Sequence, residues 1–228
     1  MRPPETDQPT TGQPTTGQPT TGQPTTGQPT TGQPIRIHPS AEVEPGAHVG
    51  AGTSIWHLAH VRAGARIGAG CNLGRGVYID ADVVVGDRVK IQNYALVYEP
   101  ARVAAGVFIG PAAVLTNDLY PRAVNVDGSA KSHQDWDAVG VTLQEGCSIG
   151  ARSVLVPGVT VGPWAMVAAG AVVVRDVRPY ELVAGVPARH LGWVGRSGRR
   201  LEPDGPARWR CPATGERYAE GAGGLSLL

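Results

Sequence analysis

The sequence predicts an all-β solenoid, a stack of short strands joined by tight corners. Three observations predict it. Aliphatic side chains recur at every sixth position over most of the chain. A small or β-branched residue follows each of them by four positions. Finally, 32 Gly and 20 Pro stand beside a single Phe and only 5% aromatic residues, which rules out a large aromatic-centred core and suits a narrow one with many corners.

The first stretch lies outside that pattern. From Gln8 the unit QPTTG repeats five times and ends in Gln33-Pro34. It carries no charge and no large apolar side chain, so it has nothing to offset the entropy of ordering. Residues 1–34 are expected to be a disordered tail. A collagen-like reading fails because glycine recurs every fifth residue rather than every third.

The period begins at Ile37 and runs through Val43, Val49, Ile55, Val61, Ile67, Leu73, Ile79, Val85, Ile91, Val97, Val103 and Ile109 to Leu115. It returns at Leu143, Ile149, Leu155, Val161, Val167 and Val173. The companions include Ala41, Ala59, Cys71, Val89 and Ala113. Six residues are too few for a helical hairpin or a strand pair. They suit one short strand and one corner, with both periodic side chains pointing inward. Each unit buries little alone, so the units must stack. Corner strings such as Gly50-Ala51-Gly52 and Gly68-Ala69-Gly70 then have a purpose, and Cys71 and Cys147 become core fillers.

Between Leu115 and Leu143 the phase is lost over residues 116–142. A solenoid could delete such a segment at little cost, and long loops in compact domains tend to be functional or disordered. This one keeps Leu119, Tyr120, Val124, Val126 and Trp136, so an ordered projecting loop is expected. The organisation is therefore a tail over 1–34, a β-helix over 35–177 with a loop at 116–142, and an extension over 178–228.

Bulk charge excludes some partners. The formal net charge is +1, from 20 basic and 19 acidic residues, which suggests neither nucleic acid nor an anionic membrane. No apolar run is long enough to span a bilayer. The opening MRPPETD has no basic-then-apolar leader, and three scattered cysteines make no disulfide framework. A cytoplasmic location is expected.

Several strings carry a family resemblance: IWHLAHV (Ile55–Val61), KIQNYALVYE (Lys90–Glu99), FIGPAAVLTN (Phe108–Asn117), YPRA (Tyr120–Ala123), GVPARHLGW (Gly185–Trp193) and RCPATGERY (Arg210–Tyr218). With the six-residue period, they resemble hexapeptide-repeat acyltransferases. The subfamily is the UDP-2-acetamido-3-amino-2,3-dideoxyglucuronate N-acetyltransferases, which serve surface-polysaccharide synthesis. The resemblance covers about residues 35–218. It implies a left-handed parallel β-helix with three units per coil, a homotrimer whose active sites lie between subunits, and acetyl-CoA and a nucleotide sugar as substrates.

With three units per coil, residues 18 apart lie one above another. One column then holds His57, Arg75, Asn93 and Pro111, another holds Arg62, Asp80, Tyr98 and Thr116, and a third holds His60, Tyr78, Leu96 and Val114. Asn117 falls above Glu99. The polar residues beside the loop, Gln92, Asn93, Tyr98, Thr116 and Asn117, are the expected substrate contacts. The resemblance implies that Asn117 holds the sugar amine, and it points to Ala151, Ala169, Arg175 and Arg189 as coenzyme A contacts. His60 is a further substrate contact, and His60 or His57 an alternative general base. No metal is expected: the two histidines occupy different positions around the coil, and Cys211 has no partner cysteine.

Two features depart from the subfamily. Residues 118–140 hold Asp118, Asp127, Asp135 and Asp137 against Arg122 and Lys131, and Tyr94 stands where a second Asn is usual. A sugar carboxylate would need Arg122 or a neighbouring subunit. A dTDP-linked 3-amino-deoxyhexose is therefore the alternative substrate. A non-catalytic scaffold is the rival from a different class, and a γ-class carbonic anhydrase lacks its three histidines.

Overall fold

The computed structural model describes residues 32–132 and 134–228. The tail expected over 1–34 thus lies, up to residue 31, outside the described residues. From Arg36 onward the chain forms twenty two-residue strands in a three-sided parallel β-helix, one strand for each six-residue unit. The first face stacks Arg36–Ile37, Ser54–Ile55, Asn72–Leu73, Lys90–Ile91, Phe108–Ile109, Ser148–Ile149 and Met166–Val167. The second face runs from Glu42–Val43 to Val172–Val173, and the third from His48–Val49 to Thr160–Val161.

Register follows the expected 18-residue step. Ile37 pairs with Ile55, His60 with Tyr78, and Leu96 with both Tyr78 and Val114. Across the loop the step becomes 40, as in Ile109↔Ile149 and Leu115↔Leu155, so the insertion adds 40 − 18 = 22 residues without shifting the stack. At the far end the step shortens. Val161 bridges Val177 and Val167 pairs with Val183, and parallel stacking continues to Glu181–Ala184, past residue 177.

The core is the double column read from the period. Val61, Leu73, Ile79, Ile91, Val97, Ile109 and Leu115 are fully buried, and so are Ala65, Val83, Val89, Ala95, Ala101 and Ala113 between them. Cys71 and Cys147 sit in the small-residue column, where burial pushes the Cys147 thiol up to about 12. Thr53 and Ser153 stand there too. Each buried hydroxyl is satisfied by a carbonyl of the next coil, Thr53 by Gly68 at 2.8 Å and Ser153 by Ala168 at 3.0 Å.

The corner glycines serve two needs. Gly70 has φ of +66°, a conformation that side chains resist. Gly68 has no such φ; a Cβ there would lie 2.5 Å from the carbonyl carbon of Gly86 on the next coil. Close stacking of coils, rather than turn geometry, excludes a side chain at that position.

Past the last coil, Glu181–Ala184 turns back on Arg189–Trp193, and a four-stranded antiparallel sheet follows, Glu202–Pro203, Arg208–Arg210, Arg217–Gly221 and Gly224–Leu227. Tyr180, Trp193, Leu201, Cys211, Tyr218 and Leu225 form a small second core, with Trp164 packed against it. The aromatics scarce in the prism collect here. Burial alone would raise the Cys211 thiol, but bonds from Ser197 and Thr214 outweigh it and bring it to about 7.

Candidate active site

A three-sided prism sorts its polar residues onto edges, because inward positions are apolar and corners face water. The first edge, between the first and second faces, carries His57, Arg75, Gln92, Asn93, Ala151 and Ala169. The second edge, between the second and third faces, carries Arg62, Asp80, Tyr98, Glu99, Thr116 and Asn117, and the loop springs from it. The sequence grouped Gln92 and Asn93 with Tyr98, Thr116 and Asn117. The structure separates them by the width of the second face.

On the first edge, Gln92 and Asn93 line a cleft of about 240 Å³ with Trp56, His57, Asn72 and Arg75. Asn93 Oδ1 accepts the Arg75 N–H at 2.9 Å, and Trp56 Nε1 donates to Asn72 Oδ1 at 2.6 Å. Further up the same edge, Gly170 N donates to Ala151 O at 2.8 Å, so Ala151 and Ala169 occupy successive coils. Their own N–H groups meet no acceptor among the described residues, whereas the corner N–H groups of Ala69 and Arg75 are capped by Asp87 and Asn93. Ala169 is exposed. Two unpaired N–H groups one coil apart suit an extended chain with spaced carbonyls.

On the second edge, Asn117 is half-buried at the root of the loop. Its Nδ2 donates to Glu99 O at 2.8 Å, the partner expected one coil below. That bond fixes the amide orientation and leaves Oδ1 as its acceptor. Thr116 Oγ1 donates to Leu155 O at 2.8 Å, and Val139 N closes the loop onto Asn117 O at 2.9 Å. The Tyr98 ring leans on Tyr78, with centroids 5.6 Å apart.

The loop is ordered by short bridges, Asp118↔Ala138 and Val124↔Ala130. Its aspartates hold turns. Asp118 Oδ1 accepts the Tyr120 N–H at 2.8 Å. Side-chain and backbone bonds from Ser129 hold the Asp127 carboxyl below the usual range, and Ser132 does the same for Asp135. Two cavities of about 470 Å³ each flank the loop root. One is lined by Arg122, Lys131, Ser132 and Trp136, the other by Tyr98, Thr116, Leu119, Val154 and Val156; Asn117 and Asp118 line both. Asn117 thus stands between a cationic pocket and an apolar groove. Lys131 and Trp136 could not be placed from the sequence, since the insertion has no period to fix their register.

His60 is not brought to Asn117. It lies on the second face three rungs below Val114, about 14 Å along the axis at ~4.8 Å per rung. Its Nε2 bonds Glu44 Oε1 at 2.8 Å. His57 stacks on His38 with centroids 3.4 Å apart, on the other edge. Neither histidine can serve as base beside Asn117 within one chain. Arg175 and Arg189 sit at the far end of the prism: Arg175 is 3.8 Å from Glu181, and Arg189 follows Ala188, whose N–H bonds Val172 O at 2.7 Å. Among the described residues no three His, Cys, Asp or Glu side chains gather as a metal would require. No helix there is long and apolar enough to cross a membrane.

The repeat itself points to known relatives. A model described as bacterial transferase hexapeptide (six repeats) matches residues 46–81 and 140–175, on either side of the loop. Over those two stretches the chain is similar to that family. Such repeats accord with the left-handed sense expected for the prism. The chain is 42% identical over 87 residues to a dTDP-3-amino-3,6-dideoxy-alpha-D-galactopyranose 3-N-acetyltransferase of Aneurinibacillus thermoaerophilus, covering 38% of this chain and 44% of that one. It is 37% identical over 90 residues to the serine acetyltransferase of Escherichia coli (strain K12), covering 39% of this chain and 32% of that one. The matches thus span less than half the length of these curated relatives. Among solved structures, the acetyltransferase domain of PglB from Neisseria gonorrhoeae FA1090, in complex with acetyl coenzyme A, superposes with a TM-score of 0.46 at 27% identity, covering 69% of this chain and 58% of that one.

Proposed function

We propose that this protein is an acetyl-CoA-dependent N-acetyltransferase that acetylates the amine of a nucleotide-linked amino sugar in cytoplasmic glycan biosynthesis. The observation that carries the reading is the fixed amide of Asn117 at the junction of two cavities. With Nδ2 committed to Glu99, Oδ1 accepts an N–H of the incoming amine and aims its lone pair at the thioester. A strong base is unnecessary, since an amine of pKa about 8 is partly neutral near pH 7. Nitrogen bonds to the acetyl carbon, the C–S bond breaks, and the departing thiolate takes the surplus proton. Orientation supplies much of the rate, and a backbone N–H polarises the thioester carbonyl.

The first edge fits coenzyme A. The unpaired N–H groups of Ala151 and Ala169 match the amide carbonyls of a pantetheine arm, and Arg175 and Arg189 supply cations for its phosphates. Because these groups and Asn117 stand on different edges, one copy does not complete the site. A homotrimer would set the second edge of one protomer against the first edge of the next. Gln92 and Asn93 would then meet the site from across the interface.

The loop supports an acidic sugar. Asp118 alone opposes Arg122 and Lys131 in the pocket beside Asn117, so its balance is cationic although the loop's is not. This favours the 3-amino group of a UDP-2-acetamido-3-amino-2,3-dideoxyglucuronate. Similarity to the dTDP-3-amino-sugar enzyme favours a dTDP-3-amino-deoxyhexose instead. Thiol release from acetyl-CoA with a panel of both sugar types tests the proposal. The expected result is turnover with a UDP-linked 3-amino uronate and at least tenfold lower kcat/KM with neutral deoxyhexoses; transfer to no amine would overturn it.

A further inference from the structure

Asp80 is one of four buried polar or charged residues among the described residues, at 7% exposure, and the chemistry above does not use it. It lies on the second edge one coil below Tyr98 and Glu99. Its carboxylate is surrounded by donors: Oδ1 accepts from Arg62 Nη1 at 3.0 Å, from Tyr78 Oη at 3.0 Å and from its neighbour Ala81 N at 2.9 Å. Oδ2 accepts the Glu99 N–H at 3.4 Å. Glu99 is therefore held at both ends, its N–H by Asp80 and its carbonyl by Asn117 Nδ2 at 2.8 Å.

We propose that Asp80 is a positioning residue for acetyl transfer, setting the Asn117 amide through the backbone of Glu99. The proposal rests on the reading of Asn117 as the group that holds the amine. Two unrelated bonds meet on one residue, and that residue links a buried carboxylate to the amide beside the loop. Across this corner Ala101 N donates to Tyr98 O at 3.1 Å, and the Glu99 N–H turns to Asp80. Moving its carbonyl moves the acceptor that orients Asn117, and an amide free to rotate offers Nδ2 as readily as Oδ1. An amine needs the oxygen.

The anchor is itself braced from below. Arg62 bridges Asp80 to Glu44, 3.6 Å from Glu44 Oε1, and Glu44 also takes the Ala63 N–H at 2.8 Å and His60 Nε2 at 2.8 Å. The coupling is mechanical rather than electronic, because the Glu99 N–H and C=O belong to different peptide groups. It predicts an effect on turnover and amine handling, with none on acetyl-CoA, which is assigned to the other edge.

The test combines kinetics with a readout that does not depend on activity. In the full-length protein the Asn117 side-chain NH₂ pair is identified in ¹⁵N–¹H correlation spectra by its loss in Asn117→Ala. In Asp80→Ala that pair should move to the position of a freely rotating amide, while Asp80→Asn, which keeps an oxygen for the Glu99 N–H, should restore part of the shift. In parallel, Asp80→Ala should lower kcat about tenfold with the acetyl-CoA KM unchanged, and should have no further effect in an Asn117→Ala background. An unmoved NH₂ pair in folded Asp80→Ala overturns the proposal, as does an equal loss of kcat in both backgrounds. Should the wild type transfer no acetyl group while the NH₂ pair responds as stated, the functional reading fails and the positioning role stands.

Discussion

At the scale of single residues, Glu181 is the clearest instance of a charge that the fold cannot leave unpaired. Its side chain is fully buried, with Arg178 Nε at 3.2 Å, His190 Nδ1 at 3.1 Å and the Arg178 N–H at 2.9 Å. Burial alone would raise its pKa, but the Arg178 and His190 bonds outweigh it and hold the carboxyl below its usual 4.5. A depressed carboxyl pKa contributes stability that is complete above the unfolded value and lost as pH falls through the folded one. The sheet formed by Glu181–Ala184 and Arg189–Trp193 should therefore loosen only below about pH 4.5, seen as a change in tryptophan fluorescence, since Arg178 lies 4.7 Å over the Trp193 ring. Glu181→Gln should weaken the sheet at neutral pH by roughly 3 kcal/mol and flatten that acid limb. Parallel acid limbs in the two proteins would refute the assignment.

At the scale of elements, the loop is a graft rather than a part of the stack. Leu115 pairs with Leu155 as if the intervening chain were an ordinary corner, and Asp118 bridges Ala138 at its neck. Replacing Leu119–Asp137 with a two-residue Asn-Gly turn joins paired ends, so β-sheet circular dichroism and melting temperature should stay near wild type. Because Arg122, Lys131 and Trp136 leave with it, kcat/KM for the sugar should fall about 100-fold. A folded variant with full activity would remove the loop from the site. The same contrast explains what could be read in advance. The prism was legible because a period of six states which side chain points inward at every turn, and the 18-residue step placed Asn117 over Glu99 and Arg62 beside Asp80. The loop was legible only as an interruption. Its aspartates looked like a repulsive surface, yet Ser129, Ser132 and the Tyr120 N–H engage three of them in turns, and the cations share one pocket. The shortened final coil escaped because Val177 and Val183 break the step by two.

At the scale of the whole molecule, the governing fact is division. The amide that would hold the amine and the N–H groups that would hold the thioester stand on separate edges, and His60, one of the two expected bases, lies three coils from the level of Asn117. Under the proposed function, a copy of the chain would complete each half-site. The direct test mixes halves: Asn117→Ala, broken on the second edge, is co-expressed with Ala169→Trp, blocked on the first. Each alone should release thiol from acetyl-CoA with the amino-sugar acceptor only at a small residual rate. In mixed trimers about a quarter of the interfaces pair an intact second edge with an intact first edge, so about a quarter of wild-type activity should return. Mixed trimers as inactive as either parent, beside an active wild type, would place both halves within one chain and contradict the shared site; a wild type that transfers no acetyl group would contradict the function itself.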